Sequence, residues 1–562
     1  MSSLTGAQLT VQLLEQHGIT TIAGIPGGTT LPLYDALKDS NITHILARHE
    51  QGAGFIAQGI ARSTGKPAVA LATSGPGATN LMTAVADARL DSVPLIAITG
   101  QVPLDLIGTD AFQEVDTYGM SIPLTKHNFL VRDISELEET IKQAFQIATS
   151  GRPGPVLIDL PKDIQTATIK TADIATNSPA DIQPAPAPHV PAVGLIEEAC
   201  RRMNNAKRPV LYIGGGLRND TTQAVQKLAE KASIPVAMSL MGLGVFPVDH
   251  PLSLGMLGMH AAGATNRILD KADLIIAAGV RFDDRATGNL NQFCPDASII
   301  HIDIDRGEID KLREAHIGLS GDACAIFQQL LPQIEKRGTN EWYDFIQSTK
   351  DAYPLCLPDP DNPLSPCGFI RHTASIMDDN AIITTDVGQH QMWTAQAYPF
   401  RRPRQFLTSG GLGTMGFGLP TAIGAALANP DRTIVCFSGD GSLMMNMQEM
   451  VTAAELGANV KIMLMNNSAL GLVRQQQDLF FKKNYFASEF SHSINFTTIA
   501  RAIGLEATDL NNAKDPRAAL EQALTSHGPH LVQLCTDPNN QVLPMVPPGG
   551  ANMDMIGETH NA

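Results

Sequence analysis

The sequence predicts an α/β protein built from three doubly wound parallel-sheet domains. Three observations predict it. Short, wholly apolar runs alternate with amphipathic stretches of helical period, which is how parallel strands covered by helices on both faces read. Several of these runs end in glycine or charged residues, as at Pro26-Gly27-Gly28, Gly214-Gly215-Gly216 and Ser438-Gly439-Asp440-Gly441-Ser442. Third, one stretch occurs twice. A shift of 364 residues lays Gly416, Gly418, Ala425, Ser438, Gly439 and Gly441 on Gly52, Gly54, Ala61, Ser74, Gly75 and Gly77. A chain of 562 residues also exceeds what one core organises.

Residues 1–165 form the first predicted domain. Thr5–His17 reads as a helix with Leu9, Leu13 and Leu14 on one face. Strands follow at Thr21–Ile25, His44–Ala47, Ala68–Thr73, Leu95–Thr99 and Val156–Leu160. The second of these ends at Arg48-His49-Glu50, before the apolar helix Gly52–Ala61. Residues 166–192 are rich in Ala, Pro and Thr and lose periodicity, so they read as an extended linker.

The middle domain spans 193–345. Its strands Pro209–Ile213, Leu274–Ala278 and Ser298–Ile304 end in glycines or charges, the mark of a Rossmann-like sheet able to hold a nucleotide. In the segment 281–285, Arg-Phe-Asp-Asp-Arg, four charges at a strand end are not expected to be buried without partners. A second linker covers 346–367, and the third domain covers 368–540. There, strand Ala381–Thr385 leads to the turn Asp386–His390 and to the glycine-rich stretch 409–416. Strand Thr433–Phe437, a helix over Leu443–Glu455 and strand Val460–Met465 follow. Residues 541–562 show no clear periodicity and read as either a disordered tail or a flap over a site.

Composition narrows the function classes. The net charge of −16 argues against nucleic acid or an anionic membrane as the main partner. Seven scattered cysteines with no Cys-x-x-Cys pair suit a reducing cytoplasm. The start of the chain lacks a basic, then apolar, leader, and no run of 18 apolar residues exists. A cytoplasmic protein with no membrane or nucleic-acid role is the expectation.

The chemistry concentrates at two strand ends of the third domain. In a parallel sheet both open on the same edge, where ligands sit. Glycines let the backbone approach a phosphate, and a helix N-terminus attracts anions. Asp440 and Asn467 then present two hard oxygens suited to Mg²⁺ holding phosphate oxygens. Gly439-Asp440-Gly441, with Asn467 27 residues after the Asp, resembles the diphosphate–metal motif of thiamine diphosphate enzymes. In the first copy Asp440 is matched by Pro76, so that copy cannot bind the metal, but it carries Glu50. Glu50 also suits a helix start on electrostatic grounds alone. Paired with the metal motif, it matches the glutamate that bonds the aminopyrimidine N1′ and promotes loss of the thiazolium C2 proton.

The motifs 25–28, 48–53, 73–80, 108–116, 150–163, 254–261, 281–285, 386–393, 409–420, 439–442 and 545–549 together resemble the acetohydroxyacid (acetolactate) synthase family, large catalytic subunit. The resemblance implies pyrimidine-binding, central FAD-binding and diphosphate-binding domains, the first and third a duplicated thiamine diphosphate-binding fold. It implies an enzyme that decarboxylates pyruvate on thiamine diphosphate and passes the two-carbon unit to a second 2-oxo acid, for branched-chain amino acid synthesis. The alternative is an FAD-linked pyruvate oxidase or another thiamine diphosphate decarboxylase or carboligase.

The resemblance also implies site roles. Asp440, Asn467 and the Ala469 carbonyl would hold Mg²⁺, and Glu50 would come from another subunit of at least a homodimer. Thr73, Asn80, Gln389, His390, Gly413, Met415, Gly439, Gly441 and Ser442 would contact thiamine diphosphate, with Met415 bending it. Gly28, Phe112, Gln113 and Lys162 would line the substrate pocket. Arg152, Met259, His260, Arg281, Asp283, Arg285, Asp303 and Asp305 would lie along FAD. A small regulatory subunit is the expected partner. Gln476 stands where members favouring 2-oxobutanoate carry Trp, which implies weak preference for that acceptor over pyruvate.

Overall fold

The computed structural model describes residues 3–171, 190–217, 219–338, 340–492 and 494–561. Most of the predicted linker 166–192 lies outside the described residues. Among the described residues the chain forms three six-stranded sheets, parallel throughout, and one small two-stranded sheet. In the latter, Ser3–Thr5 runs antiparallel to Thr168–Lys170 and ties the start of the first domain to its end.

The first sheet lies in the order Thr43–Leu46, Thr21–Gly24, Ala68–Ala72, Leu95–Gln101, Val156–Pro161, His127–Leu130. The third lies in the order Phe406–Leu407, Ile382–Thr385, Ile434–Gly439, Val460–Asn466, His530–Cys535, Glu506–Asp509. Numbered within each domain, both read 2-1-3-4-6-5, so the repeat seen in a few residues is a repeat of topology. The middle sheet reads 3-2-1-4-5-6: Ser253–Met256, Val236–Met238, Pro209–Ile213, Leu274–Ala278, Ser298–Asp303, Ile317–Ser320. That order reverses between Pro209–Ile213 and Leu274–Ala278, where a doubly wound sheet opens a crevice.

The central strands form because both faces are covered. Every residue of Ala68–Ala72, Leu95–Gln101 and Val460–Asn466 is buried. The first helix, Gly6–Gln16, starts where Thr5 caps it and Gln8 caps back, and it buries Leu9, Leu13 and Leu14. The helix expected over Leu443–Glu455 is instead two, Asp440–Leu443 and Glu449–Leu456. Between them the backbone tightens into three-residue turns, and the Asn446 amide donates to the Gly416 carbonyl at 2.7 Å. The span 346–367, read as a linker, opens inside helix Glu341–Ala352 and closes inside helix Pro366–Ile376.

The first and third domains meet through equivalent helices, Glu50–Thr64 and Gly418–Ala428. A Cβ on Gly59 would strike the Thr421 carbonyl, and a Cβ on Gly424 would strike the Ile56 carbonyl. Only glycine lets the two backbones come this close, and the contact is reciprocal. Phe55 and Phe417 meet edge-on at 5.2 Å beside the crossing. Arg62 is buried there against Asp87 and Asp91, at 2.7 and 3.0 Å. Asp91 in turn accepts the N–H groups of Gly410 and Gly411, anchoring the glycine-rich stretch of the third domain.

The tail is neither disordered nor free. Val546 donates to the Met259 carbonyl, Asn289 to the Gly550 carbonyl, and Met545 bridges to Ile556. Arg267 pairs with Glu558 at 2.5 Å, and His560 stacks on Tyr353 at 4.8 Å. These contacts strap residues 541–561 onto the middle domain. Among the described residues, no helix is long and apolar enough to cross a membrane. None of the seven cysteines forms a disulfide among the described residues.

Candidate functional site

At the carboxyl edge of the third sheet, strand Ile434–Gly439 delivers Asp440 to the start of a short helix, and strand Val460–Asn466 delivers Asn467 beside it. Asp440 is buried, which pushes its carboxyl up to about 6, against N–H bonds from Gly441, Asn467 and Ser468. The Asn467 side chain accepts from the Ala469 N–H at 3.1 Å and donates to Gln389 at 3.3 Å. Ser442 donates to the Val387 carbonyl at 2.8 Å.

His390 lies under these turns. A Cβ on Gly439 would stand 2.8 Å from its Nδ1, and one on Gly388 2.8 Å from its Cε1. Glycine at both positions leaves room for the ring. Burial lowers the His390 pKa to about 3, so the ring is neutral, and its Nε2 is buried without a protein partner. A cavity of about 140 Å³ opens here, lined among others by Gln389, His390, Met415, Asp440, Asn467 and Ala469.

Among the described residues, no three His, Cys, Asp or Glu side chains cluster as a metal site. One carboxylate, one amide oxygen and a carbonyl form an incomplete oxygen set, of the kind completed by a ligand's phosphate oxygens. The orphaned His390 nitrogen, the glycine turns and this donor set therefore fit a diphosphate with its Mg²⁺.

The matching edge of the first sheet carries Glu50, the first residue of helix Glu50–Thr64. Glu50 is buried and accepts from the Asn80 amide at 3.0 Å. Gly77 lies beside it, and a Cβ there would be 3.4 Å from Oε1 and 2.7 Å from the Thr73 methyl. Thr73 bonds Thr29 at 3.0 Å, while Gly75 lies under the Gln113 backbone. Glu50, Thr73, Asn80 and Gln113 are thus brought together. Gly28 faces open space and Phe112 is 88% exposed. Lys162, half-buried, starts the helix Lys162–Thr166. Glu50 is not among the residues lining the Asp440 cavity.

A second cavity, about 270 Å³, sits at the switch point of the middle sheet, between the three domains. Gly215, Gly216, Gly279, Arg281, Asp283, Asp303 and Arg152 line it. The three glycines at 214–216 have a physical reason here: Gly216 packs on the Gly279 backbone, where a Cβ would stand 2.7 Å from Cα. Burial pushes the Asp303 carboxyl up to about 6. Arg152 bonds Ser92 and pairs with Glu308 at 2.5 Å, and Arg281 donates to the Leu90 carbonyl at 2.9 Å.

Met259, His260, Arg285 and Asp305 do not line this cavity. His260 is buried against the Pro544 carbonyl of the tail, at 3.0 Å. Of the four charges in 281–285, Asp284 and Arg285 are 81% and 65% exposed, and Asp283 caps the short helix that follows. Asp284 and Arg285 pair only loosely, with each other, at 3.8 Å. Sequence reasoning gave no role to Asp386, whose buried carboxylate accepts N–H groups of Val387, Gly416 and Gly418. The turn 386–390 was its only local signal.

The comparisons follow the same division. Three domain models match: "Thiamine pyrophosphate enzyme, N-terminal TPP binding domain" at 4–120, the central domain at 196–330 and the C-terminal TPP binding domain at 386–534. Fold, site and models define a thiamine pyrophosphate enzyme. The chain is 58% identical over 559 residues to an acetolactate synthase isozyme 1 large subunit of Escherichia coli, covering 99% of this chain and 98% of that one. It is 44% identical over 568 residues to a chloroplastic acetolactate synthase of Arabidopsis thaliana, covering 98% of this chain and 84% of that one. A probable acetolactate synthase large subunit of Methanocaldococcus jannaschii is 43% identical over 564 residues, at 98% and 95% coverage. The chain belongs to the acetolactate synthase large-subunit family.

Proposed function

We propose that this chain is the catalytic chain of an acetolactate synthase. It would take pyruvate and transfer its two-carbon unit to a second pyruvate or to 2-oxobutanoate. The observation that carries the reading is the complementary pair of sheet edges, Asp440–Asn467 in one domain and Glu50 in its duplicate. When bound, thiamine diphosphate supplies the electron sink for loss of CO₂.

The remaining work falls to the chain. Asp440, Asn467 and the Ala469 carbonyl would hold Mg²⁺, while Gly439, Gly441, Ser442, Gln389 and His390 would cradle the diphosphate. Gly413 and Met415 would back the ring system, beside Thr73 and Asn80. Glu50 would exchange a proton with the aminopyrimidine N1′. Gly28, Phe112, Gln113 and Lys162 would surround the 2-oxo acids, and closure over them would exclude water. Arg281 would meet the acceptor carboxylate. FAD would fill the middle cavity against Arg152, Asp283 and Asp303. Two chains would complete each site, since Glu50 lies apart from the Asp440 cavity and Phe112 stands exposed. A small regulatory partner fits the name "large subunit" that two of the Escherichia coli relatives carry. Gln476 offers no broad apolar wall, which supports weak preference for 2-oxobutanoate over pyruvate.

The test is product formation from pyruvate with Mg²⁺ and thiamine diphosphate, with and without FAD. Acetolactate formed only with FAD is expected, and Glu50→Gln should lower the rate at least about 100-fold. Acetaldehyde, or flavin reduction without acetolactate, would assign a decarboxylase or an oxidase instead.

A further inference from the structure

Glu449 has no part in the chemistry above. Yet it is wholly buried, and its carboxylate reaches from the third domain into the first. Oε1 accepts the backbone N–H groups of Arg48 at 2.8 Å and of His49 at 3.1 Å. Oε2 accepts the Thr452 hydroxyl at 2.7 Å. The two amides lie immediately before Glu50, at the entry to helix Glu50–Thr64, where N–H groups find no partner within the helix. A carboxylate is the strongest acceptor a side chain can offer them.

Gly52, in the first turn, rests on this carboxylate: a Cβ there would stand 2.5 Å from Oε1. The helix Glu449–Leu456 thus grips the segment twice, because Glu455 also pairs with the Arg48 guanidinium at 2.5 Å.

We propose that Glu449 is a positioning residue for Glu50, fixing where the helix start presents the Glu50 carboxylate. The inference rests on the proposed function, which supplies the aminopyrimidine that Glu50 faces. Glu449 follows Asp440 by nine residues and leads away from the diphosphate edge. One buried carboxylate therefore joins the Asp440 edge to the Glu50 edge of the same chain. Where sites form between two chains, those edges serve different sites, and Glu449 connects them.

The experiment uses the full chain with thiamine diphosphate, Mg²⁺ and FAD, comparing Glu449→Ala, Glu449→Gln, Gly52→Ala and Glu455→Ala. Three quantities are read. They are cofactor affinity by fluorescence titration, proton–deuterium exchange at the bound cofactor's C2 by NMR, and amide exchange of peptides over residues 46–55 in the cofactor-free chain. Glu449→Ala should slow C2 exchange at least tenfold while cofactor affinity changes less than threefold, and should speed amide exchange at 48–52. Glu449→Gln, whose amide oxygen still accepts both N–H groups, should recover most of both. Gly52→Ala should copy Glu449→Ala, and Glu455→Ala should change little. If Glu449→Ala does not fold, Gly52→Ala and Glu449→Gln decide.

Wild-type C2 and amide exchange in Glu449→Ala would overturn the proposal. So would C2 exchange that falls only in step with cofactor affinity. If the wild-type chain itself shows no C2 exchange, the functional reading fails. The amide exchange then decides the brace alone.

Discussion

The first and third domains carry one fold and two different sets of edge residues. Their strand orders are identical, and their equivalent helices cross through a reciprocal pair of glycines. At the third strand end, the third domain places Asp440 where the first places Pro76, the opening residue of helix Pro76–Leu90. At the fourth strand end, Asn467 corresponds to Pro103 by the same 364-residue shift. Proline offers neither a side-chain oxygen nor an N–H. In exchange the first domain holds Glu50, at a position matched by Thr414. The fold supplies a sheet edge with tight turns. Under the proposed function, single side chains would then decide whether that edge takes a cation or a proton.

The comparison breaks most readily at the metal. Asp440→Ala should weaken Mg²⁺-dependent binding of thiamine diphosphate at least about 100-fold, or roughly 3 kcal/mol, by calorimetry. Pro76→Asp should create no second site, because Pro103 leaves the incoming carboxylate without its oxygen partner. Metal bound by Pro76→Asp would show that the fold, and not the residue pair, selects the ion.

A smaller effect is expected where the halves touch. Gly424→Leu and Gly59→Leu should each destabilise the chain by about 3 kcal/mol, since each new side chain meets a backbone carbonyl that cannot retreat. Urea midpoints with unequal costs, one large and one near zero, would show that the crossing is not reciprocal.

The smallest effect concerns Asp159. Burial pushes its carboxyl up to about 7 despite bonds from Thr99 and Gln101. In the unfolded chain it titrates near 3.9. The folded state holds the proton longer, so Asp159 costs stability progressively as pH rises from about 4 to about 7. By the same 364-residue shift Thr99 falls on Met463, whose partner in the third sheet is the uncharged Val532. Asp159→Asn should therefore stabilise the chain at pH 8 by on the order of 1 kcal/mol and flatten that slope, as read by denaturation at pH 5 and pH 8. No gain at pH 8 would mean the carboxylate is better accommodated than its burial suggests.

The central strands were legible because burial on both faces leaves an unbroken apolar run; Pro209–Ile213 and Leu274–Ala278 match to the residue. Edge strands such as Glu506–Asp509 were not, because one side meets water and polar residues blur the signal. The break at Met444–Gln448 was missed for a related reason. The residues keep helical periodicity, and only a distant partner, the Gly416 carbonyl, turns Asn446 away. Motif residues were legible where contacts are local, as in 439–442. Glu449 was not, since its partners Arg48 and His49 lie 401 and 400 residues away. The tail showed no periodicity because its order comes from the surface it lies on, not from a pattern of its own.

The glycine crossing has a consequence for descent. Ile56, Gly59, Thr421 and Gly424 lie hundreds of residues apart yet behave as one character. A bulkier residue at either glycine survives only with a compensating retreat in the other helix. The two halves of this duplicated chain are therefore free to diverge at their sheet edges, as Pro76 and Asp440 have, but bound to inherit their meeting point together.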